Sequence, residues 1–79
     1  MKKMVFVSGI MAEIEKNEIE NKVKTDLVGI EDHSLIEKVM VAKKGTVILH
    51  FIDSKDIGAF IQKYAGKEFL GSKIRLSQG

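Results

Sequence analysis

Between residues 43 and 53 (KKGTVILHFID) a Lys-Lys-Gly turn leads into a run in which Val47, Leu49 and Phe51 alternate with Thr46, Ile48 and His50. A period of two is that of a β-strand, so the first set faces a core and the second an open surface. Residues 4–10 (MVFVSGI) repeat the pattern, with Val5 and Val7 on one face and Met4, Phe6 and Ser8 on the other. Residues 35–42 read as a further strand, Val39 and Val41 inward and Lys38, Met40 and Ala42 outward. The Leu35-Ile36 doublet interrupts its alternation and predicts a bulge. Lys43, Lys44 and Gly45 leave room only for a hairpin turn, which makes the flanking strands antiparallel. Residues 73–77 alternate a last time, with Ile74 and Leu76 inward and Lys73, Arg75 and Ser77 outward.

Two stretches change period. From residue 13 to 28, Ile19, Val23 and Leu27 recur every four residues, with Ile14 or Val28 extending the stripe, which predicts an amphipathic helix. Glu13, Glu15, Glu18 and Glu20 crowd its early turns and Lys22 and Lys24 follow, a polarity that suits the helix macrodipole. Gly29 marks its stop, and residues 30–34 form a polar connection with Ile30 tucked inward. Asp53 or Ser54 caps a second helix in which Ile57, Phe60, Ile61 and Tyr64 form the core stripe, and Gly66 ends it.

The element order is therefore βαββαβ. It predicts an α+β, ferredoxin-like fold: a four-stranded antiparallel sheet with two helices on one face and the other face bare. The 79 residues make a single domain, residues 1–79, and 44% hydrophobic content can fill its core. With no cysteine, disulfides and thiolate metal sites are excluded, and the expectation is an intracellular protein, nuclear or cytoplasmic. No apolar run approaches the length of a membrane span. A formal net charge of +2 permits an anionic partner without demanding one.

Catalytic and cofactor patterns are absent. His33 and His50 fall on different elements, and Asp53 and Asp56 at a helix start are explained by capping. No phosphate-binding glycine loop, HExxH or GxSxG pattern occurs, so neither an enzyme nor a cofactor is expected. The bare sheet face carries more information. Its outward positions are Met4, Phe6 and Ser8, then Lys38 and Met40, then Lys44, Thr46, Ile48 and His50, then Lys73, Arg75 and Ser77. One aromatic ring, apolar groups and cations as the sole formal charges suit single-stranded nucleic acid, stacked on the ring and paired through phosphate. The acidic run on the first helix reads most simply as a solvated face, and otherwise as a docking surface for a protein.

These residues resemble the RNA recognition motif (RRM) family over essentially the whole chain. The family octamer, K/R-G-F/Y-G/A-F-V-x-F/Y, is met at its first, second, sixth and eighth positions by Lys44, Gly45, Leu49 and Phe51. Val5-Phe6-Val7-Ser8-Gly9-Ile10 matches the hexamer of the first strand, and residues 66–76 look like the family's approach to its last strand. The resemblance implies a non-enzymatic domain that contacts single-stranded or structured RNA through Phe6, Ser8, Lys38, Met40, Lys44, Thr46, Ile48, His50, Lys73 and Arg75. Thr46 and Ile48 stand where the octamer's two base-stacking aromatics would be, which makes this a non-standard member. The alternative is an RRM-fold protein-interaction module, using the acidic first helix or the apolar patch of Met4, Met40 and Ile48, with self-association included.

Overall fold

A computed structural model describes residues 3–11, 13–43 and 45–79. Among the described residues six strands occur, β1 (Met4–Ser8), β2 (Ile36–Lys43), β3 (Thr46–Phe51), β4 (Glu68–Phe69), β5 (Ser72–Lys73) and β6 (Arg75–Gln78). The α-helices are α1 (Lys16–Lys22) and α2 (Ile57–Tyr64). Strands β2-β3-β1-β6 form one antiparallel sheet in that order, and β4 and β5 form a separate small hairpin. This is the expected α+β, ferredoxin-like arrangement, with the short hairpin added between α2 and the last strand.

Alternation decides which sheet face is covered. Val5, Val7, Val47, Leu49 and Phe51 are at most 1% exposed and join Ile19, Val23, Leu27, Ile57, Phe60 and Tyr64 in one apolar cluster. Phe60 meets the sheet edge-on at Phe51, with ring centroids 4.9 Å apart, and stacks obliquely on Tyr64 at 4.5 Å. No helix among the described residues is long and apolar enough to cross a membrane.

The first helix starts later than its acidic run suggests. Glu15 is the N-cap residue, so Glu13 and Ile14 precede α1, and Ile14 is exposed while Val28 completes the buried stripe. Beyond Lys22 the chain continues as a π-helical turn, Val23–Leu27, closed by the Val28 N–H on the Val23 carbonyl at 3.0 Å. Four-residue spacing overshoots an α-helix of 3.6 residues per turn by about 40° at each step. The wider turn takes less angle per residue, which returns Leu27 to the line of Ile19 and Val23 and buries Val28 as well.

The connection to β2 is a 3₁₀ helix, Ile30–Leu35, and Ile30 is 85% exposed rather than tucked inward. At three residues per turn Ile30 and Asp32 face different ways. The inner direction goes to Asp32, whose Oδ2 accepts a hydrogen bond from the Tyr64 hydroxyl at 2.6 Å. That hydroxyl accepts in turn from the Gly29 N–H at 2.8 Å. Lys63 Nζ donates to both Asp32 Oδ2 and Glu31 Oε1 at 2.9 Å, and Lys67 Nζ donates to the Leu27 carbonyl at 3.2 Å. These bonds fasten the segment after the first helix to α2. The anticipated bulge in β2 is present as a register shift between Ile36 and Lys38, and a second lies between Val41 and Lys43.

At the β2–β3 turn Gly45 has φ +85°, and a Cβ there would stand 2.9 Å from the Ile10 carbonyl oxygen. Replacing Gly45 by Ala is expected to cost about 1–2 kcal/mol, measured as a lowered urea midpoint with unchanged m-value.

The network also predicts an acid dependence. The Tyr64 hydrogen bond first, and then that of Lys63, holds the Asp32 carboxyl below its ordinary range. A carboxylate depressed in the folded state stabilises it above the unfolded pKa of about 4 and loses that contribution as pH falls through the folded value. Tyr64→Phe is expected to lose about 1–3 kcal/mol at pH 7 and to show a shallower fall in stability toward pH 3. Parallel acid slopes for the two proteins in urea titrations would exclude this role for Asp32.

Candidate nucleic-acid interface

The open face is set by the same registers as the core. Met40, Ile48, Phe6 and Ser77 are successive cross-strand partners and form one row straight across the four-stranded sheet. On one side of it lies the row Lys38, His50 and Met4, and on the other the row Lys43, Thr46, Ser8 and Arg75. Neighbouring strands are about 4.8 Å apart and same-face residues along a strand about 7 Å apart, so the three rows make a nearly flat patch. Met4, Phe6, Ser8, Thr46, Ile48 and His50 are half-buried, whereas Lys38, Met40, Arg75 and Ser77 are exposed.

The structure thus brings together Phe6, Ser8, Lys38, Met40, Thr46, Ile48, His50 and Arg75. Lys44 lies outside the described residues. Lys73 does not join them on the last sheet strand. It belongs to β5, opposite Glu68 in the small hairpin, and β6 begins only at Arg75. The cause is Ile74, which is 1% exposed and whose N–H and carbonyl are taken by the Lys67 carbonyl and the Gly66 N–H, at 3.0 and 3.2 Å. The continuous alternation of residues 73–77 conceals that break.

Lys43 belongs to the face although its sequence position suggested a turn. The shift after Val41 makes it the partner of Thr46, and direct partners share a face. An extra residue in the ladder is the signal that would have found it.

Charge divides between the two sides of the sheet. On the helix side, Lys22 pairs with Asp26 at 3.7 Å, Lys24 with Glu20 at 3.6 Å, and Lys63 with Glu31 and Asp32. Among the described residues, Lys38, Lys43 and Arg75 have no carboxylate partner. The two histidines also differ. His33 Nε2 lies 3.2 Å from the Val28 carbonyl, which gives it a structural bond, and His50 stands free on the open face between Met4 and Lys38. No group of three or more potential metal ligands occurs among the described residues.

Among the described residues two hollows lie toward the helix side of the sheet, the first reaching the edge of this face at Lys38. One, of about 470 Å³, separates the π-helical turn from β2 and is lined by Lys24, Thr25, Val28, His33, Ile36 and Val39. The other, of about 560 Å³, sits at the start of α1 and is lined by Ile14, Ile19 and Val41 together with Glu13, Glu15, Lys16 and Glu18.

No protein-family model matches the sequence, and no curated protein matches it significantly. Among solved structures the chain is similar to the second RRM domain of the yeast poly(U)-binding protein Pub1. The TM-score is 0.71 over 96% of this chain and 92% of that one, at 13% sequence identity. At that identity the likeness is one of fold.

Proposed function

We propose that this domain is a non-enzymatic module that binds single-stranded or structured RNA across its open sheet face. The observation that carries the reading is the row Met40–Ile48–Phe6–Ser77, flanked by the unpaired cations Lys38, Lys43 and Arg75. Phe6 stacks one base, and Ile48 and Met40 offer apolar contact to a neighbouring base or sugar. Lys38, Lys43 and Arg75 pair with phosphates, and the sequence offers Lys44 and Lys73 as further cations for the same role. His50, Thr46 and Ser8 supply hydrogen bonds to base edges. That the similar solved domain comes from a poly(U)-binding protein supports RNA as the ligand class.

A second reading, a protein-interaction module, is favoured by the hollow at the start of α1, whose three apolar residues and three carboxylates, against the one lysine Lys16, fit a basic segment with an apolar side chain. Self-association through the sheet face is disfavoured, because a twofold contact there would press a face whose formal charges, Lys38, Lys43 and Arg75, are all positive against an identical one.

Titrating the labelled domain with a degenerate ten-nucleotide RNA pool separates these readings. RNA binding shifts the amides of residues 4–8, 46–50 and 75–78. Motionless amides there, with shifts confined to residues 13–19 on adding a basic peptide, would sink the RNA reading. Phe6→Ala is expected to weaken RNA binding about 10- to 100-fold, since one stacked base is worth roughly 1–3 kcal/mol. With few phosphate contacts, log K against log salt should be shallow, and each of Lys38→Ala and Arg75→Ala should reduce the slope by about 0.7.

A further inference from the structure

The ring of Phe6 has a neighbour that side-chain patterns cannot show. Phe6 lies directly opposite Ser77, so Gly79, two residues on, is its diagonal neighbour on the same face. The Gly79 N–H donates to the Met4 carbonyl at 3.0 Å and carries the β1–β6 ladder past the last residue of β6. A Cβ built on Gly79 would overlap Cε1 of Phe6, with Cδ1 and Cζ at 3.0 and 3.1 Å. The ring therefore fills the space in which any other residue would carry its side chain. It leans from its own row toward the row of Lys38, His50 and Met4, and away from Arg75.

We propose that Gly79 is a positioning residue for the RNA surface: by lacking a side chain it seats the Phe6 ring and fixes where on the sheet a base can stack. This rests on the RNA reading above. The face has one ring where an RRM-like surface would have three, so the placement of that ring decides the register of the bound strand. A ring resting over backbone is held in one orientation before ligand arrives, which removes an ordering cost from binding. A side chain at position 79 would push the ring upright or toward Ile48, and a stacked base would lose its alignment with His50 and Lys38.

The test uses the full chain, its variants Gly79→Val, Phe6→Ala and the double variant, and the degenerate ten-nucleotide RNA pool. In the unaltered protein the Gly79 Hα resonances should be displaced from their ordinary positions by the Phe6 ring current, and Phe6→Ala should abolish the displacement. Undisplaced resonances overturn the seat. Gly79→Val should keep the thermal midpoint within a few degrees while weakening RNA binding about 10-fold. In the Phe6→Ala background the same substitution should change binding by less than about 2-fold, because its effect passes through the ring. An equal loss in both backgrounds overturns the positioning role and leaves the RNA reading intact. Failure of the unaltered protein to bind the pool overturns the RNA reading and the positioning role together, whatever the ring-current result.

Discussion

The pairing of β1 with β3 constrains everything else in this structure. Val5 lies opposite Leu49 and Val7 opposite Val47, and all four side chains are fully buried. Side chains alternate with a period of two, so a slip of one residue would drive Phe6, Ile48 and His50 into the core and expose the valines. The register that closes the core is also the one that aligns Phe6 with Ile48 and, through β2, with Met40. Stability and the geometry of the open face are therefore a single specification, and a change that loosens one misaligns the other.

The helix side of the sheet is held by directional bonds as well as by packing. Tyr64 is the centre of that side: its ring stacks in the core while its hydroxyl links the Gly29 N–H to Asp32. Burial first, and then the bond to Asp32, pushes the pKa of that hydroxyl above its ordinary value, so it stays neutral and able to donate. The lysines around it are matched with carboxylates or carbonyls. Among the described residues the opposite side has no such matching, so the chain as a whole is only mildly basic while its exposed sheet is distinctly so. The local arrangement of charge carries more information than the net value.

Much of this was legible in the chain because strands and helices impose different periods. The alternation in residues 4–8 and 46–51 placed Phe6, Ile48 and His50 outward, and the stripe Ile57, Phe60, Ile61, Tyr64 located α2. Legibility failed where no period operates. Ile30 is a lone apolar residue in a polar connection, and its outward direction is set by Asp32 and Tyr64, which are 32 residues apart. Lys73 keeps the alternation of the residues after it, but a hairpin with Glu68 breaks the strand at Ile74. Lys43 reaches the face only through an irregularity in pairing. Gly79 is silent in any side-chain pattern, because its contribution is the space it leaves empty. The start of α1 depended on where the backbone turns helical, and the carboxylates at Glu13 and Glu15 did not reveal that.

The turn between β2 and β3 has a consequence for time rather than for affinity. Gly45 is drawn against the end of β1, where its carbonyl accepts the Ile10 N–H at 3.3 Å, so the turn cannot reach over the sheet as a long loop would. Among the described residues no segment overhangs the sheet, so under the proposed function none of them would have to order when a ligand arrives or open when it leaves. Arrival is then governed by encounter, and departure is not delayed by a lid. A strand held on such a face would exchange quickly, and sustained occupancy would call for a second attachment close by, where effective concentration does the work that slow release does elsewhere.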